Sequence, residues 1–154
     1  MSFRISGLPA QQFAHWFALN DDELRQRHAL RVVADSKPGF PCRVSLTDAE
    51  PGAEVLLINY EHLAADSPYR ASHAIYIRAG ETTFDAVDEI PVMLRSRLLS
   101  IRAFDARHML AAADVVDGKE LAAAIERLLN EPRTQYLHVH FAKPGCYAAR
   151  VERA

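Results

Sequence analysis

The residues best suited to chemistry gather near the end of the chain. They lie in Tyr136-Leu137-His138-Val139-His140-Phe141-Ala142 and in the Cys146 to Arg153 segment that follows Lys143-Pro144-Gly145. Side chains alternate along a strand, so Leu137, Val139 and Phe141 point one way and Tyr136, His138 and His140 the other. Lys-Pro-Gly fits a three-residue hairpin loop whose last glycine takes the left-handed conformation. That loop sets Ala142 opposite Cys146, His140 opposite Ala148, His138 opposite Arg150 and Tyr136 opposite Glu152. Opposed residues share a face. The register therefore predicts Tyr136, His138, His140, Cys146, Arg150 and Glu152 on one side of the sheet, with Leu137, Val139 and Phe141 buried on the other.

Several kinds of chemistry fit that face. Imidazoles beside a guanidinium suit a small anion, with Arg150, His138 and His140 as contacts. A thiol near an imidazole suits nucleophilic catalysis, with Cys146 as nucleophile and His140 as base on a diagonal of about 7–8 Å. The plain alternative is a hydrated sheet surface, which antiparallel sheets commonly present. Zinc is the weakest reading. His138, His140 and Cys146 supply three donors, but neither a Cys-X-X-Cys pair nor a His-Glu-X-X-His helix accompanies them. Neither a metal nor another cofactor is expected.

Other clusters carry less. Cys42 continues the alternation of Val44 and Leu46 and reads as a small buried hydrophobe. Tyr60-Glu61-His62 closes a strand, where functional loops commonly begin. Ser67-Pro68-Tyr69-Arg70 places a ring and a guanidinium after a turn, an arrangement for stacking or anion binding. Its plain reading has Tyr69 packing on the sheet and Arg70 pairing with a surface acid. Convergence of Arg43, Arg70 and Arg150 would make an anion site. No Ser-His-Asp motif, glycine-rich phosphate loop or dinucleotide fingerprint occurs.

The elements that must position these residues are short. Phe3 to Ile5 reads as a strand, and Pro9 opens a helix that sets Phe13, Trp16 and Phe17 on one face. Asn20 and Glu23 form a capping box for a second helix over Asp21 to His28. Strands follow at Leu30 to Ala34, Arg43 to Thr47 and Glu54 to Tyr60, the last two as a hairpin, and then at His73 to Arg78. Gly80 to Ile90 reads as an exposed acidic loop. Leu98 to Phe104 and Met109 to Val116 read as an antiparallel pair. Asp117 and Glu120 cap a helix from about Gly118 to Leu129, ending before Pro132.

A chain of 154 residues, 49% apolar and 25% charged, fits one domain over residues 1–154. A net charge of −2 argues against a nucleic-acid-binding module. Fifteen arginines stand against three lysines, a bias that fits a GC-rich genome as the abundant alanine does. The longest strongly apolar run, Val55 to Ile58, is too short for a membrane span. Met1 to Ala10 lacks the pattern of a signal peptide, so a cytoplasmic protein with free thiols is expected.

The chain resembles an uncharacterised bacterial family of about the same length, catalogued as domain of unknown function 1203. The resemblance rests on Lys37-Pro38-Gly39-Phe40-Pro41-Cys42-Arg43-Val44-Ser45-Leu46, Asp48-Ala49-Glu50-Pro51-Gly52 and Ser67-Pro68-Tyr69-Arg70-Ala71-Ser72. It closes on His138-Val139-His140 and Lys143-Pro144-Gly145-Cys146-Tyr147-Ala148-Ala149-Arg150-Val151. Ala53 departs from the acid that follows Gly52 in the family pattern. The resemblance implies a bacterial source and one domain, and no activity.

Together these readings predict an α+β fold: a curved, largely antiparallel sheet of about six to eight strands, with two N-terminal helices and one later helix. The leading functional expectation is a binding module for a small anionic molecule, contacted by Arg43, Tyr69, Arg70, His138, His140 and Arg150. A Cys146/His140 enzyme and an assembly protein are the alternatives, and homo-oligomerisation stays open.

Overall fold

Alternation at the N-terminus gives the first strand its sides. β1 (Phe3–Ser6) buries Phe3 and Ile5 and leaves Arg4 exposed. A 3-10 helix (Ala10–Ala18) buries Phe13, and the Asn20–Glu23 capping box starts α1 (Asp21–Gln26) as expected. β2 (Ala29–Val33), β3 (Pro41–Cys42), β4 (Thr47–Asp48), β5 (Glu54–Leu63) and β6 (Ala71–Ile77) follow. Then come β7 (Asp85–Val87), α2 (Val92–Arg95), β8 (Leu98–Phe104) and β9 (Leu110–Asp117). After a 3-10 turn (Gly118–Glu120), α3 (Leu121–Leu129) leads to β10 (Tyr136–Phe141) and β11 (Tyr147–Arg153). This computed structural model describes all of residues 1–154.

The fold is α+β and largely antiparallel, but its strands form two sheets rather than one. The larger runs β7-β1-β11-β10-β8-β9 and the smaller β2-β5-β6-β3-β4, with one parallel contact, Cys42 to Tyr76. α3 covers one face of the larger sheet, where Leu121, Ile125, Leu128 and Leu129 pack with Leu137, Val139 and Phe141. Burying each such side chain is worth about 1.5–3 kcal/mol. On the other face, β10 and β11 meet the smaller sheet, and Tyr147 shares a core with Ile58, Ile75 and Ile77. No helix is long and apolar enough to cross a membrane.

Three expected elements differ. Arg43 to Leu46 is a buried turn, not a strand: Leu46 N–H donates to the Cys42 carbonyl and Leu46 sits at φ 53°. The alternation of its side chains records burial on all sides rather than extension. β5 consequently makes no hairpin with this segment and pairs instead with β2 and β6. Within the expected acidic loop, β7 pairs with β1. The expected Asp117–Glu120 box is replaced by a turn in which the Asp117 side chain accepts from Lys119 N–H.

A four-histidine cluster and an adjoining cationic cleft

Two irregularities in strand pairing build the site. In β5, Glu61 pairs with Ser72 and Leu63 with Ala71, so His62 is the extra residue of a bulge. Such bulges re-aim side chains, and here both His62 and Leu63 turn toward the larger sheet: His62 packs on Tyr147, and Leu63 packs with Phe104 and Tyr136. In the β10–β11 hairpin, His138 pairs with Arg150 and Val139 with Ala149 as expected, but His140 pairs with Tyr147. Ala148 is skipped, and the loop spans four residues, closed by Phe141 N–H donating to the Cys146 carbonyl at 3.0 Å. Gly145 takes φ 81°, the left-handed conformation expected of it.

That one-residue shift corrects the expected face. Cys146 stands opposite Phe141 and packs against the helix-side core, while Tyr147 takes the place beside His140. The Cys146–His140 pair is therefore separated by the sheet, and a one-residue slip does this because side chains alternate. The histidine face is not hydrated either. All six residues of β10 are buried, because the smaller sheet covers it.

Four imidazoles meet in that interface. His62 comes from β5 and His73, opposite Tyr60, from β6; His138 and His140 come from β10. Ring centroids of His62 lie 4.7 Å from His73, 5.6 Å from His138 and 5.1 Å from His140. Tyr147 stacks on His62 at 5.0 Å with planes 8° apart. One nitrogen of each of His62, His138 and His140 falls in a group whose members all lie within 4.8 Å of one another.

The hydrogen bonds are asymmetric. His140 Nδ1 lies 3.0 Å from the Gly145 carbonyl, so it carries the proton and donates, leaving Nε2 with its lone pair. Arg102 Nη1 reaches that nitrogen only at 3.5 Å. His62 Nε2 and His73 Nδ1 are 2.7 Å apart. The Nδ1 atoms of His62 and His138 are buried and unpartnered. No carboxylate enters the cluster. Burial, reinforced by His73 and Arg102, lowers His62 to about 4; His138 drops to about 2 by burial, His62, His140 and two arginines. Burial also takes His140 to about 3 against the opposing Gly145 hydrogen bond. The imidazoles are neutral at physiological pH.

His73 also lines a cleft of about 670 Å³. Both Lys-Pro-Gly turns border it, through Pro38 and Gly39 on one side and Lys143 and Pro144 on the other. Arg43, at 1% exposure, donates from Nε to the Tyr147 carbonyl at 2.7 Å, from Nη1 to the Pro41 carbonyl and from Nη2 to Cys146 Sγ at 3.0 Å. It forms no ion pair, and burial lowers it to about 10. Arg97 binds both carboxylate oxygens of Asp48, at 2.6 and 2.9 Å. Both guanidiniums lie over the Phe141 ring, Arg43 at 4.8 Å and Arg97 at 4.9 Å from its centroid.

The expected contacts do not converge. Arg43 lines the cleft, and Arg70 and Arg150 do not. Arg70 makes a two-pronged contact with Glu61, and Tyr69 packs edge-on against Phe104. Arg150 covers the Tyr136 ring at 4.0 Å and bonds Glu152. Both cysteines are free. In the sequence His62 reads only as a strand end, and His73, Arg97 and Lys143 carry no signal of a site, because their proximity depends on two sheets meeting.

The family model described as a protein of unknown function, DUF1203, matches residues 39–153, and the chain belongs to that family. No curated protein and no solved structure matches the chain.

Proposed function

We propose that this DUF1203 protein binds a small anionic molecule bearing an apolar portion, held in the cleft between the two Lys-Pro-Gly turns. One observation carries the reading: the cleft wall has Arg43, Arg97 and Lys143, and no aspartate or glutamate among its fourteen residues. Its volume lies in the range of small-molecule sites, about 300–1,000 Å³. Phe141, Tyr76 and Leu98 supply apolar surface beside the charges. Arg43 is a buried charge with no carboxylate partner, its donors met by two carbonyls and the Cys146 sulfur. Lys143, on the exposed hairpin loop, offers an ammonium, and Arg97 presents a guanidinium fixed by Asp48. The anionic ligand expected from the sequence is retained, and its contacts move from the histidine face to this cleft.

The test is thermal shift and calorimetry with phosphate monoesters, dicarboxylates and aromatic carboxylates. A ligand that binds only the folded state raises the melting temperature. Anions carrying an apolar group should raise it, and Lys143→Glu should weaken the best of them at least tenfold without unfolding the protein. If no anion shifts the midpoint, or the shift survives Lys143→Glu unchanged, the reading is wrong.

A further inference from the structure

We infer that His62, His138 and His140 form a binding site for one late first-row divalent cation, with zinc as the type case, buried between the two sheets. None of the three lines the cleft, and the inference stands whether or not the cleft binds an anion.

Unpartnered nitrogens are the first argument. A buried polar atom without a hydrogen bond costs about 1–3 kcal/mol, and most buried polar atoms have a partner. Here two orphaned Nδ1 atoms, on His62 and His138, belong to the same cluster of rings. His138 is only 2% exposed. Filling a sheet interface with apolar side chains would avoid both costs. A cation that accepts those lone pairs removes them together.

The second argument is how the remaining nitrogens are held. A metal-binding histidine characteristically donates its other ring N–H to a carbonyl, carboxylate or water, which fixes the tautomer and the ring orientation. His140 does so through Nδ1 and the Gly145 carbonyl, leaving Nε2 free to bind. For His62 the partner is His73: with the proton on His62 Nε2, His73 Nδ1 accepts, and His62 Nδ1 is left as a bare lone pair. Both rings are thus already oriented by a second bond.

The donor set selects the metal. Three imidazoles with no carboxylate suit zinc, copper, nickel or cobalt and not calcium or magnesium, which take oxygen. A tetrahedral zinc with bonds of about 2.0–2.1 Å needs its nitrogens about 3.4 Å apart. The present limit of 4.8 Å means that binding draws the imidazoles inward by about 1 Å. Arg102, whose contact with His140 Nε2 is long, must withdraw from that nitrogen. Three protein ligands leave one position for water or an anion, and the charges of Arg102 and Arg150 beside the rings favour an anionic fourth ligand such as hydroxide. Cys146, the thiol expected to join His138 and His140, is on the other side of the sheet.

The experiment uses the full chain, stripped with a chelator and titrated with Zn²⁺ alone and then Co²⁺ alone. One equivalent should bind, and Co²⁺ should give the visible absorption of a tetrahedral site. His62→Ala and His140→Ala should abolish stoichiometric binding, and Cys146→Ser should leave it unchanged. His73→Ala, which removes only the positioning bond, should weaken Zn²⁺ by about 10–100-fold. Imidazole nitrogen resonances provide a readout without substitution: those of the three ligands and of His73, bonded to His62, should shift on Zn²⁺ addition while the surface residue His28 stays put. Absence of binding by folded wild-type protein, or binding kept within tenfold in a folded His62→Ala, overturns the inference.

Discussion

Gly118 offers a sharp test of how packing supports the cleft. A Cβ built there would lie 2.1 Å from the Leu94 carbonyl oxygen and 2.6 Å from the Arg95 carbonyl oxygen. Such contacts are not tolerated below 3.0 Å, so Gly118→Ala forces the turn before α3 and the end of α2 apart by about 0.9 Å. The opposing atoms are backbone and cannot rotate away. Gly118 N–H donates to the Arg97 carbonyl at 2.8 Å, and that bond lengthens beyond hydrogen-bonding range. Overpacking of this kind costs about 1–3 kcal/mol. The lost buried hydrogen bond adds about 1–3 kcal/mol. The sum is about 2–6 kcal/mol, read as a lower urea midpoint with an unchanged slope. Gly52→Ala is the control. Gly52 has φ 90° and open space around it, so it costs only the backbone penalty of about 1–2 kcal/mol. Because Arg97 lies on the displaced segment, Gly118→Ala should also weaken the anion. If Gly118→Ala costs no more than Gly52→Ala, the close approach of α2 to this turn is misplaced and the account of Arg97 goes with it.

Three further outcomes follow from single groups. Asp48→Asn removes the partner of a mostly buried guanidinium and should cost about 3 kcal/mol of stability, yet tighten anion binding by freeing Arg97, as calorimetry on the folded variant would show; weaker binding would count against the cleft. Asn20→Ala deletes the side-chain acceptor for Glu23 N–H and should lower stability by about 1 kcal/mol, measured by urea unfolding. In chelator-treated protein, His62, His138 and His140 are held below their unfolded value of 6.5, so the unfolded chain binds more protons as pH falls below it. Their stabilising contribution is complete above about pH 7 and declines through the acid range toward their folded values. The urea midpoint should therefore fall between pH 7 and pH 5, whereas the carboxylates of Asp88, Asp105 and Asp114, lowered from 3.8, act only below that window; a flat midpoint across it would contradict neutral buried imidazoles.

Elements whose burial is set by their own periodicity were legible in the sequence. β8 (Leu98–Phe104) falls where alternation puts it, and the Asn20–Glu23 box is present in both its bonds. What alternation cannot report is which partner covers a face. In β10, Tyr136, His138 and His140 look like a wet side because imidazole and phenol are polar, but polarity does not distinguish water from a second sheet bearing matching histidines. The Cys42 to Thr47 segment misleads in the opposite sense, since a tight buried turn spaces apolar residues much as a strand does. Bulges are the hardest case. Skipping Ala148 exchanges Cys146 for Tyr147 beside His140, and no residue type in Tyr147-Ala148-Ala149 announces it.

His73 links the two proposed sites. It lines the cleft, and its Nδ1 is bonded to His62 Nε2. Without a metal, the shared proton sits on either nitrogen, because His62 Nδ1 has no partner to choose the tautomer. A cation on His62 Nδ1 ends that freedom: the proton goes to His62 Nε2, His73 Nδ1 becomes the acceptor, and neutral His73 carries its own proton on Nε2. A bound metal would thereby fix the tautomer of a residue of the cleft wall. Whatever factor the cation adds to anion affinity, the anion must return to cation affinity. The bulge at His62 is then more than a way to fill the sheet interface, because it places the one imidazole that can bind the metal through one nitrogen and set His73 through the other.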